Sequence, residues 1–198
     1  ELRLKKTEFL LPLLLGTGED IYTPQELKDS AKRLGLIKSD NDCYSVVVSK
    51  FKTFSGENCT KAHHIDFVNS IVGKYANCES FFVNGRIVTL VTSEAEEMST
   101  KLILPVIELE QNAKKLFDQK CTIGISQTVK SPELLSLACA QAITARRYTS
   151  DGAGDIRFIN DQEHKSIYEL EDIEKSVHKL EQLLKIGNKE EISEFLND

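Results

Sequence analysis

The chain lacks several features that would assign it a function directly. No run of lysine and arginine stands out, and acidic residues outnumber basic ones 31 to 25, for a net charge of -6. Modules that grip DNA carry a basic face, so this piece is not expected to hold nucleic acid by itself. The five cysteines, Cys43, Cys59, Cys78, Cys121 and Cys139, include no CxxC pair. Zinc sites and secreted disulfide scaffolds need tighter patterns, so the thiols read as reduced and packed as small hydrophobes. Reducing surroundings imply the cytosol. The most apolar run, Phe9 to Leu15, is too short to span a bilayer and contains Pro12. No signal peptide, internal repeat or low-complexity stretch is visible. The chain begins at Glu1 rather than Met and ends on Asp198 straight after a helical pattern, so a longer parent is expected.

What remains is an ordinary globular composition, 40% hydrophobic and 28% charged over 198 residues. That length suits one domain with helical extensions. Residues 2–15 read as a helix kinked or ended near Pro12, leaving through Gly16-Thr17-Gly18. Thr23-Pro24-Gln25-Glu26 opens a helix: Thr23 caps, Pro24 suits the first position and Glu26 completes a capping box. Residues 43–52 (CYSVVVSKFK) predict a buried strand, and 61–75 a helix with His64, Val68, Ile71, Val72 and Tyr75 on one face. Asn84-Gly85 separates two strand-like runs, which is a strong hairpin signal. A helix follows within 95–117, kinked by Pro105 or starting near it, then a strand over 120–126. Ser131 caps a helix to about Tyr148, Asp151 to Gly154 make a turn, and Ile156 to Ile159 form a last short strand. A long helix fills 164–186, and Asn188 caps a final short one. This order predicts an α+β sandwich of ferredoxin-like, split-βαβ type, with helical arms at both ends.

Few constellations promise chemistry. His63 and His64 are adjacent, so on a helix they point about 100° apart and make poor joint ligands. His64 is expected half-buried and His63 solvated. The acid pairs Glu96-Glu97, Glu171-Asp172 and Glu190-Glu191 read as solvated helix faces. Gly152-Ala153-Gly154 is too short for a phosphate loop. No catalytic residue, metal ligand or cofactor is assigned. The one informative periodicity is Leu170, Ile173, Val177, Leu180 and Leu184, spaced 3, 4, 3, 4. Two readings of this seam stay open. It packs on its own domain, or it joins a dimer interface or signalling rod.

Four stretches resemble the central region of AraC-type regulators: Phe9 to Gly16 followed by Leu27 to Leu36; Cys121 to Ser126; Ala140 to Phe158; and Leu180 to Leu196 with Gly187. The likeness is to YesN-type response regulators, whose middle domain is a degenerate GGDEF fold of nucleotidyl-cyclase type. The resemblance implies an antiparallel sheet with packed helices, and a parent with a receiver or sensor before it and two helix-turn-helix units after it. It divides the chain into a helical connector over 1–38, the GGDEF-like domain over 39–163 and a helical linker over 164–198.

The departures from active cyclases are informative. Aligned on Phe51-Lys52, the "DxDxFK" acids of active enzymes fall on Val47 and Ser49. The GGDEF hairpin is replaced by Val83-Asn84-Gly85-Arg86. Without those carboxylates Mg²⁺ is not held against a triphosphate. The resemblance therefore implies no enzyme but a cytoplasmic, homodimeric relay domain of a two-component transcription regulator, reaching DNA only through a region outside this chain. The alternative is a small-molecule or nucleotide sensor whose cleft is lined by polar side chains such as Asn84 and Arg86.

Overall fold

The computed structural model describes residues 2–18, 22–37, 39, 41–150 and 155–160. At its centre lies β1 (Asp42–Lys52), whose Val46-Val47-Val48 run is wholly buried. Such a strand needs cover on both faces and partners on both edges. On one edge it pairs antiparallel with β3 (Arg86–Glu94), from Asp42 opposite Glu94 to Ser49 opposite Ile87. On the other it pairs antiparallel with β4 (Lys120–Ile125), from Val47 opposite Ile125 to Lys52 opposite Lys120. The outer strands are β2 (Asn77–Val83), antiparallel to β3, and β5 (Ile156–Phe158), parallel to β4. The order is β2-β3-β1-β4-β5. The architecture is α+β, but the five-stranded sheet is mixed, not all-antiparallel as the sequence implied. The helix between β4 and β5 carries the chain back along the sheet, so the two strands must run the same way.

Helices cover both faces. On one lie α1 (Leu2–Leu15), α2 (Pro24–Arg33) and α5 (Leu135–Arg147). Phe9, Leu10 and Leu13 of α1, Leu27 of α2 and Ala142 of α5 share a buried cluster with Val46, Val48 and Val88 of the sheet. The stretch read as a connector over 1–38 thus contributes to the main core. On the opposite face α3 (His64–Val72) and α4 (Ala95–Phe117) cover Val47, Phe51, Ile123 and Ile125. Contacts group Glu1–Ile159 as one unit and Asn160–Asp198 as another. The turn over 151–154, the helix over 164–186 with its seam, and the Asn188-capped helix lie outside the described residues.

Most local signals work as read. Thr23 and Glu26 form both halves of the capping box, with the Thr23 N–H donating to the Glu26 carboxylate at 2.8 Å. Asn84 and Gly85 take φ of 48° and 72°, the left-handed pair that a two-residue hairpin turn requires. Pro12 does not end α1, which runs to Leu15. Pro105 sits inside α4, buried, rather than near its start. Two expectations are corrected. Ser131 makes no side-chain cap; a short 3₁₀ turn over Pro132–Leu134 leads into α5 instead. His64 is fully buried, not half-buried. It stacks on Phe51 at 4.2 Å, shares a hydrogen bond with Gln119 Oε1 at 3.1 Å, and receives the Lys61 N–H at Nδ1. All five cysteines are free, with Cys43, Cys121 and Cys139 buried. Among the described residues no helix is long and apolar enough to cross a membrane.

A very close approach joins α5 and β4. A Cβ placed on Gly124 would stand 2.1 Å from the Ala142 carbonyl oxygen and 2.3 Å from the Arg146 nitrogen. Both are backbone atoms and cannot swing aside. Gly124→Ala is expected to cost about 2–3 kcal/mol, at the upper end for overpacking, read as a lower urea midpoint at unchanged m-value.

Burial of His64 holds its pKa below the ordinary imidazole value of 6.5. The unfolded chain therefore takes up this proton first as pH falls. The His64 contribution is complete above about pH 6.5 and is lost progressively on acidification. In urea titrations the fall in stability between about pH 6.5 and 5 should be shallower for His64→Gln than for the unsubstituted chain.

Candidate functional site

Strand alternation concentrates cations at one end of the α5 face. Val46 and Val48 of β1, and Val88 and Leu90 of β3, point to that face. Lys50 and Lys52 continue the β1 alternation, and Arg86 that of β3. Gly124 of β4 lies beneath α5, and Arg157 of β5 is its partner in register. Arg146, in the last turn of α5, has its Cβ 2.6 Å from the position a Gly124 Cβ would occupy. The Gly124 contact therefore stations Arg146 over β4, beside the strand positions that carry Lys50 and Arg157.

The electrostatics are one-sided. Lys50 is held below the ordinary lysine range, first by burial and then by Arg146, Lys52 and Arg86. Arg146 is lowered first by burial, then by Arg86 and Arg147. Among the described residues no carboxylate acts on either group. Arg86 also draws down the Cys139 thiol, although burial outweighs it and raises that pKa overall. The Nε atoms of Arg146 and Arg157 are buried without a hydrogen-bond partner. Asp155, at the foot of β5, is engaged by Lys120 at 2.8 Å. A buried unsatisfied donor costs about 1–3 kcal/mol, and crowded like charges add to that. An anion with several oxygens would relieve both costs, because guanidinium forks match phosphate and carboxylate geometry.

The same end of the sheet carries the positions where the resemblance implies metal-binding acids. Val47 is buried in the apolar cluster against α3 and α4. Ser49 is fully buried, and its hydroxyl lacks a partner. Neither supplies a carboxylate, so these residues do not fit a hard divalent cation. Among the described residues no group of three or more His, Cys, Asp or Glu could hold a metal. His63 and His64 stack ring on ring at 4.3 Å, an arrangement of packing rather than ligation.

Of the two side chains expected to line a cleft, Arg86 joins the cation cluster. Asn84 instead occupies the exposed hairpin tip. Lys50, Arg146 and Arg157 were not legible as partners in the sequence. The available signal was a lysine two positions beyond a continuous valine run, once its strand parity is fixed. Glu96 and Glu97 are exposed on α4, as their pattern implies. The seam residues Leu170, Ile173, Val177, Leu180 and Leu184 lie outside the described residues.

Away from these cations, a concavity of about 850 Å³ lies along β2, lined also by Leu2 and Lys6 of α1, Asn69 of α3 and Lys101 of α4. Its charges are already engaged. Lys6 pairs with Glu79, and Glu108 accepts from Lys74 at 2.6 Å and from the Tyr75 hydroxyl at 2.8 Å. Among the described residues it offers no unpaired charge comparable to the Arg146 cluster. Compared with known proteins, the chain matches no protein family and no curated protein.

Proposed function

We propose that this chain is a non-catalytic regulatory module of an AraC-type bacterial transcription regulator. Its sandwich is of ferredoxin-like, nucleotidyl-cyclase type, and the parent acts in the cytoplasm as a homodimer. The observation that carries this reading is the replacement of metal-binding acids by buried Val47 and Ser49 on the central strand. The strand order β2-β3-β1-β4, with helices between β1 and β2 and between β3 and β4, is the arrangement a split βαβ sandwich requires. In this reading the helical segments before and after the sandwich pass a rotation or dimerisation signal toward a DNA-binding region outside the chain. The pure protein with GTP and Mg²⁺ should yield no cyclic dinucleotide above a protein-free blank by mass spectrometry. Appearance of that product would overturn the reading.

The buried Arg146 and Arg157 Nε atoms, which lack a hydrogen-bond partner among the described residues, favour a second reading, a sensor of small polyanions such as nucleotides. Pyrophosphate or a nucleoside triphosphate at tenfold its Kd should stabilise the fold by about 1.4 kcal/mol, or about 3–5 °C in Tm. Arg146→Leu should abolish that shift. The same substitution should raise the ligand-free Tm, because it removes a buried orphan donor and a crowded charge. Loss of both shift and stability would mark Arg146 as purely structural.

A further inference from the structure

The helix α4 carries a surface that the described residues leave uncovered. Its inner side is spent on the core through Met98, Leu102, Pro105, Val106, Leu109 and Ala113. Its outer side presents Ile103, Leu104 and Ile107, which are 43%, 50% and 41% exposed. Three large aliphatic side chains, adjacent on one helix face, form a patch rather than scattered exposure.

Apart from Lys101 and Glu108, which Glu97 and the pair Lys74 and Tyr75 engage, the charges flanking the patch on the same outer side are ordered by sign. Toward the N-terminus come Thr100 and the exposed acids Glu96 and Glu97; toward the C-terminus come Gln111 and the exposed bases Lys114 and Lys115. Glu97 also pairs with Lys101 along the helix, an exposed contact that leaves carboxylate surface free. At about 100° per residue, Glu96 and Lys114 share one bearing on the helix, and Glu97 and Lys115 another. The helix dipole accounts for acids first and bases last. It does not account for an apolar centre, nor for the symmetry of the stripe about that centre. A twofold axis sets residues of one bearing face to face, so two such helices laid antiparallel bring Glu96 against Lys114 and Glu97 against Lys115, with Thr100 near Gln111 and Leu104 near Ile107 at the centre.

We propose that the outer face of α4 is a self-association surface. It pairs with α4 of a second copy, antiparallel about a twofold axis beside Leu104 and Ile107. A twofold contact needs one patch that is complementary to itself, and this stripe is. The helix is about 34 Å long at 1.5 Å per residue, so the pair buries an area at the small end for specific interfaces. Affinity in the micromolar range follows, with charge complementarity setting register more than strength. The inference is independent of the regulatory reading, since it rests on the α4 surface alone. It differs from the seam at Leu170 to Leu184 as a means of dimerisation.

Sedimentation equilibrium of the full chain, across micromolar to hundred-micromolar concentrations, tests it. The unsubstituted chain should dimerise. Leu104→Glu with Ile107→Glu should weaken the dimer at least thirtyfold without lowering the urea midpoint, because both side chains are exposed. Glu97→Lys should weaken it severalfold by setting like charges face to face, and adding Lys115→Glu should restore it. The seam variant Val177→Glu with Leu180→Glu should leave the dimer intact. An unsubstituted chain that stays monomeric overturns the proposal. So does a dimer that survives the double glutamate variant of α4, or a charge swap that fails to restore association. A dimer that dissociates only in the seam variant overturns it in favour of the seam.

Discussion

The contact on which the rest depends is backbone against backbone, where α5 rests on Gly124. Removing one side chain from the middle of β4 lets the helix settle against the strand. That places Leu135, Ala138 and Ala142 within the buried cluster of the α1 face. It also fixes which turn of α5 ends above the sheet, and hence where Arg146 stands. Small residues continue the theme: α5 buries Ala138, Ala142 and Ala145 beside a single leucine, Leu135. Stability and the siting of charge share one geometric cause.

That siting gives the functional reading its physical content. A sheet end built for divalent cations needs converging oxygens. Here the central strand offers a valine and an unpartnered serine, while lysine and arginine gather on the opposite face. The protein keeps half-buried cations close together although their repulsion costs stability. Sites held against such a cost are commonly functional, because stability and binding trade against each other. A regulatory domain that answers to an anion and one that only relays movement differ in whether that cost is relieved by a ligand.

Much of the architecture was legible because it is written locally. The Val46-Val47-Val48 run, the Asn84-Gly85 turn and the Thr23 capping box each specify their own structure within a few residues. What escaped depends on distant partners. The direction of β5 follows from how far α5 travels before the chain returns to the sheet. His64 is buried because Phe51 and Gln119, from two other parts of the chain, close over it. Ser131 looked like a cap, but the chain enters α5 through a 3₁₀ turn over Pro132–Leu134, and the Ser131 side chain caps nothing there. The cation cluster gathers residues from three strands and a helix, so no window of sequence contains it.

The central position of β1 has a consequence for how the chain reaches its fold. Both of its neighbours, β3 and β4, are made later, and Thr122 must come to rest opposite Lys50 across a long loop of sequence. During synthesis on the ribosome the valine-rich segment therefore waits without partners, as an open edge able to recruit the same segment of another nascent chain. Lys50 and Lys52 sit at the end of that segment, where their charge discourages such pairing until the hairpin arrives. Part of the positive charge in the mature cluster thus guards the chain before there is any site to serve.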